Sequence, residues 1–220
     1  MTQEQCAYCE RPATTRDHVP PKQLFTPPLP DNLITVPACE NCNHGASDDD
    51  EMFRNELSIM AGSFRQSDNA AERLQPTMRG ILRNKTMLTR TVLGATPVER
   101  YSTGGIYLGQ GVAVPIVPGV QQRVVTRIVR GLYWHHFRNS LRADIPVQVF
   151  MDKRKPLYEH VLSSLRQQLT TLRLIGNGDT FQYRYARPTD DPTFSVWLLI
   201  FFKGAGERIF LVHTGEPDRR

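Results

Sequence analysis

All four cysteines of this chain lie in its first 42 residues, spaced Cys6-x2-Cys9-x29-Cys39-x2-Cys42, and none occurs in the following 178. A C-x2-C pair presents two thiolates from one tight turn, and two such pairs complete a tetrahedral set for one zinc ion. In a reducing compartment this pattern favours a structural metal over two disulfides. Four reduced core thiols would leave the doublets unexplained. A redox role for one pair lacks the βαβ surroundings that such motifs have. The x29 gap exceeds the roughly 15–20 residues common between paired knuckles, so an insert must sit between them.

The insert reads as two strands and a loop. Thr14 to Val19 is a short strand ended by Pro20-Pro21, because proline cannot donate to a ladder. Pro27, Pro28 and Pro30 make the next stretch an extended loop, pinned by Leu24, Phe25 and Leu29. Asn32 to Pro37 is a second strand, rich in β-formers. After the second knuckle a helix starts near Asn43 or Ser47. Ser47 followed by Asp48, Asp49 and Asp50 has the composition of an N-terminal turn. Met52, Phe53, Leu57 and Met60 then fall at helical spacing. The acidic run to Glu51 reads as a solvated helix start. The module is therefore strand, strand, helix around one zinc.

Within it stand residues with chemistry to offer. A neutral imidazole such as His18 takes a proton from water near pH 7. Asp17 and Asn43 offer one carboxylate and one amide oxygen, hard ligands that suit Mg2+ or Mn2+. Adjacent strand residues point to opposite faces, so Asp17 and His18 need a local bend or must approach a phosphate from two sides. Plainer roles exist for each: Asp17 as a turn cap, Asn32 as a turn residue, Asn43 as a helix N-cap. Arg16 and Lys22 are candidate phosphate contacts or plain surface charges. His44 can contact phosphate, support the metal site or lie exposed.

Asp17-His18-Val19-Pro20, then Asp31-Asn32-Leu33, then Cys39-x2-Cys42-Asn43 with Ser47 following, resembles the HNH endonuclease family. The resemblance spans roughly residues 6–55 and implies a ββα-metal fold with four-cysteine zinc knuckles. It implies phosphodiester hydrolysis with His18 as general base, Asp17 and Asn43 holding the catalytic divalent ion, and Asn32 fixing the loop and orienting His18. The third family position is often His; here it is Asn43, as in the nuclease domain of RNA-guided effectors.

Net charge is +5, unevenly spread: residues 1–51 carry −6 and residues 52–220 carry +11. A basic body beside an acidic module suits a polyanionic partner, and DNA is the expected one. The expected architecture is α+β, with residues 1–63 as the zinc module and 64–220 as a basic domain of helices on an antiparallel sheet. In that second part Val98–Ser102 and Ile106–Leu108 read as a hairpin, followed by a turn at Gly109-Gln110-Gly111. Val120 to about Arg138 reads as an amphipathic helix, with Arg123, Arg127 and Arg130 on one line that can track a phosphate backbone. Two helical pieces over 64–93, a strand at Val147–Met151, a helix over Pro156–Leu172 and a three-strand meander from Phe181 complete the reading. This region can bind nucleic acid, dimerise or bind an activating protein, which leaves a non-catalytic zinc-stabilised binder and a partner-gated effector as alternatives to the nuclease. The longest apolar run, Val196 to Phe202, is seven residues, far short of the roughly 20 a membrane span needs. With no apolar leader at the N-terminus, a cytoplasmic location is expected.

Overall fold

A computed structural model describes residues 4–62, 78–83, 89, 93–102, 104–150, 163, 168–188, 191–203 and 207–215. Strands β1 (Thr15–Val19) and β2 (Ile34–Ala38) pair antiparallel, from Thr15 opposite Ala38 to Val19 opposite Ile34. A single helical turn, α1 (Glu40–Asn43), and a 3-10 turn lead into α2 (Ser47–Gly62). Strands β3 (Thr96–Tyr101) and β4 (Tyr107–Ala113) form a separate two-stranded ribbon. Helix α3 (Val120–Phe137) follows, then β5 (Val147–Phe150), β6 (Arg173–Ile175), β7 (Phe181–Ala186), β8 (Ser195–Phe201) and β9 (Arg208–Thr214). These last five make one antiparallel sheet, ordered β5-β9-β8-β7-β6. The architecture is α+β, and no described helix is long and apolar enough to cross a membrane.

Helix α3 is the pivot of the core. Its apolar stripe, from Val120 through Val124, Val125, Ile128 and Val129 to Leu132, is buried. One continuous cluster runs from Cys6, Val19 and Val36 through that stripe to Phe181, Trp197 and Val212. The expected boundary between residues 63 and 64 is therefore not a boundary in the core. Helix α2 joins the same cluster: the Phe53 ring meets Phe201 edge-on at 5.4 Å and lies 6.1 Å from Phe210. Glu56 on α2 accepts from the Val117 N–H and from Gln121, both at 2.9 Å.

Gly131 sets how closely α3 approaches β1. A methyl group placed there would fall 2.5 Å from Val19 Cγ2 and 3.4 Å from the Tyr8 hydroxyl. A glycine in a helix interior costs about 1 kcal/mol relative to alanine; here it allows the helix backbone to rest on a buried valine.

Two local expectations change. Strand β4 runs straight through Gly109 and Gly111 instead of turning there; Arg100 opposite lies across Gly111, where a Cβ would meet its Cδ at 2.8 Å. The sheet also gains β6, too short to show any period in sequence. Residues 78–83 are helical with Ile81 buried. The remainder of the helices expected over 64–93, and nearly all of that over 156–172, lie outside the described residues.

Candidate metal centre

The four cysteine sulfurs converge. All lie within 4.8 Å of one another, with Cys9 and Cys39 3.6 Å apart. Four thiolates on a tetrahedral zinc with bonds of ~2.3 Å stand about 3.8 Å apart, so the donor set has the size and chemistry for that ion. The first knuckle closes by the Cys6 N–H to Arg11 carbonyl bond (2.7 Å) and the Glu10 N–H to Cys6 carbonyl bond (3.1 Å), with Glu10 at φ 62°. The Ala7 N–H to Pro37 carbonyl bond ties it to β2. In the second knuckle the Cys39 carbonyl accepts from Cys42 and Asn43, so the ligand turn is also the start of α1. Burial raises the Cys9 thiol, but Arg11, donating to its sulfur at 3.4 Å, and the neighbouring thiols bring it down to about 6. Burial pushes Cys6 and Cys42 the other way. This is the one group of three or more such side chains among the described residues that can hold a metal ion such as zinc.

Beside this cluster β1 carries Asp17 and His18 on opposite faces of a regular strand. Asp17 stands opposite Val36 and His18 opposite Thr35, with no bend between them. Asp17 points inward and is buried. Its Oδ1 accepts the His18 N–H at 2.8 Å, and its Oδ2 accepts the Tyr8 hydroxyl at 2.8 Å. Arg127 of α3 adds Nε at 3.7 Å from Oδ2 and donates its Nη2 to Asp50 of α2. His18 lies on the other face, half-buried. Burial lowers the pKa of its imidazole, and the nearby Lys22 ammonium lowers it further against the opposing pull of Asp17.

The other expected residues are scattered around this strand. Asn43 donates Nδ2 to Thr15 Oγ1 and to the Arg16 carbonyl, both at 3.1 Å, so it braces β1 against α1. Asn32 donates to the Leu174 carbonyl at 2.9 Å and accepts from the Gly176 N–H at 2.8 Å. It does fix the loop, but against the β6–β7 turn; both ends of its amide are engaged there, so it is not positioned to orient His18. Arg16 pairs with Glu4 at 3.1 Å. His44 is exposed, 3.6 Å from Glu40.

No family model, no curated protein and no solved structure matches this chain. Its residues therefore have to be judged on their own geometry.

The arginine line of α3 turns inward. Arg123 grips Asp49 with two bonds of 2.7 Å. Arg127, 11% exposed, sits between Asp17 and Asp50. Arg130 donates to the carbonyls of Leu141, Arg142, Ala143 and Ile145, holding the loop that follows α3. The expectation that these three track a phosphate backbone is corrected for Arg127 and Arg130, which have partners inside the fold; Arg123 keeps an exposed flank. The acidic run is corrected too: Asp49 and Asp50 face α3, and Asp50 is buried. Sequence reasoning missed Tyr8 and Asp50. The signal for Asp50 was a pair of acids at a helix start matched by arginines spaced i, i+4 on another amphipathic helix; for Tyr8 there was none.

A divalent ion on Asp17 and Asn43 would need their oxygens turned toward one open point. Both Asp17 oxygens are instead held by protein donors, so in this arrangement the expected ligand pair is closed.

Proposed function

We propose that this chain is an HNH-type endonuclease that hydrolyses phosphodiester bonds in DNA, with His18 as its general base. One observation carries the reading: a half-buried imidazole biased toward its neutral form, on the outer face of the first strand of an antiparallel hairpin followed by a helix, beside a four-thiol cluster. A base must be unprotonated at working pH to accept a proton from water, and burial together with Lys22 favours that form in His18. Lys22 is exposed and can neutralise part of a bound phosphate's charge. Zinc in the thiol cluster would hold both knuckles, and through the Ala7–Pro37 and Asn43–Thr15 contacts it would hold the strand that carries His18.

A second reading, a partner-gated effector, draws support from the closed Asp17. A homodimer or an activating protein could then supply the opening.

The test is nicking of supercoiled plasmid in Mg2+ or Mn2+ by wild-type protein and by His18→Ala, with zinc measured by mass spectrometry. The expected result is about one zinc per chain in both and a loss of at least ~100-fold in nicking for His18→Ala. Equal nicking by both proteins, or none by the wild type under any metal, would remove the catalytic reading.

A further inference from the structure

We propose that Arg127 is a latch on Asp17: its guanidinium occupies the space a divalent cation would need, so helix α3 must shift before Asp17 can bind metal. The purpose of the latch rests on the nuclease reading above; its chemistry does not.

The geometry is that of one cation shared by two acids. Arg127 reaches from α3 to Asp17 on β1 and Asp50 on α2, and all three side chains are nearly sealed, at 11%, 9% and 10% exposure. Oxygen ligands sit about 2.0–2.1 Å from Mg2+. Such an ion at Oδ2 would crowd a guanidinium nitrogen 3.7 Å from that oxygen and compete with it electrostatically. Metal and latch are therefore mutually exclusive at Asp17.

The two arms are unequal. Asp50 takes a close hydrogen bond from Nη2, whereas the Asp17 arm is the longer contact from Nε. Arg127 can release Asp17 while Asp50 keeps its charge paired, which avoids the large cost of a lone buried cation. When both carboxylates are ionised, two negative charges also face one positive charge, and the residual charge favours an added cation.

Helix α3 is set to move as a unit. Arg123–Asp49 is an outer clasp, exposed on the arginine side, and the Gly131–Val19 contact is a steric stop against β1. A load that breaks the outer clasp and tilts α3 withdraws Arg127 from Asp17 before it withdraws it from Asp50.

The test is Mn2+ binding to the zinc-loaded protein, read from the electron paramagnetic resonance signal of free Mn2+. It compares wild type, Arg127→Met and the double variant Arg127→Met/Asp17→Asn. The expected result is Mn2+ affinity about tenfold tighter in Arg127→Met, within the roughly 5–150-fold range of typical site coupling, with the gain abolished in the double variant. An unchanged affinity in Arg127→Met that retains zinc and its circular dichroism would overturn the proposal, as would a gain that survives Asp17→Asn. Should Arg127→Met lose zinc or fold, Asp49→Asn replaces it. That change removes only the outer clasp, so tighter Mn2+ binding supports the latch and unchanged binding sinks it. Binding is read without cleavage: tighter Mn2+ binding in a protein that cuts nothing leaves the latch standing and removes the nuclease reading.

Discussion

Asn32 and Gly176 lie 144 positions apart in sequence, yet the Asn32 side chain accepts the Gly176 N–H at 2.8 Å. Gly176 has φ +64°, and a Cβ there would meet the Pro30 ring at 3.1 Å. The Pro-rich loop and the β6–β7 turn are thus fastened by one amide, which also donates to Leu174. Asn32→Ala should lower stability by about 1–2 kcal/mol, the net worth of two such bonds at an exposed site, and leave nicking per folded molecule near wild type. Urea unfolding beside the plasmid assay checks both. A large loss of nicking at unchanged stability would restore a role for Asn32 at His18.

The pH dependence of activity should follow His18. Its folded pKa is below the ordinary value of 6.5, first through burial and then through Lys22. The neutral form is the competent base, so nicking should stay on its plateau above pH 6.5 and fall only as pH drops through that lowered pKa. Lys22→Gln removes the cation, raises the pKa and should move the acid limb toward higher pH. A limb unmoved by Lys22→Gln, in a rate profile from about pH 5 to 8, would exclude His18 as the titrating base.

Zinc removal should undo more than the knuckles. The cluster joins the Cys6–Cys9 turn to β2 and α1, and Cys6 and Cys39 belong to the main core. Cys39→Ser, or prolonged chelation, should take the zinc content from about one per chain to near zero. Folding free energy coupled to metal is then lost as well, and the thermal midpoint should fall. A midpoint that stays put after zinc is gone would show the cluster to be dispensable for the fold.

Gly131→Ala offers a clean conflict between local and tertiary preference. Helix propensity alone would make it stabilising by about 1 kcal/mol. The added methyl must instead overlap Val19, which is 1% exposed, and overpacking of this kind costs about 1–3 kcal/mol. Net destabilisation is expected in urea unfolding. Stabilisation would mean that α3 moves away from β1 freely.

What the sequence revealed depended on the range of the interaction. Helix α3 was legible almost to the residue because its stripe repeats at helical period and Gly119, at φ +82°, precedes it. The knuckles were legible from spacing, and the β1–β2 pair from prolines that bound it. Strand period also placed Asp17 and His18 on opposite faces, but nothing local says which face is buried; that is decided by α3, about 110 positions on. The same distance hid the partners of Arg123 and Arg127, so charges that look solvated in sequence are ion-paired in the fold. Strand β6 has three residues, too few for a pattern, and exists through its pairing with β7.

The single core that runs from Cys6 to Val212 bears on any attempt to borrow the N-terminal part. Val19, Val36, Phe53 and Leu57, all at 1% exposure or less, share that core with α3 and the large sheet. Cut out after Gly62 and fused to another carrier, residues 1–62 would take their cysteines and His18 along but present a greasy, unpaired flank to water, with Asp17 and Asp50 stripped of their counter-ion. Such a cassette would not be portable; a transplant has to carry α3 with it.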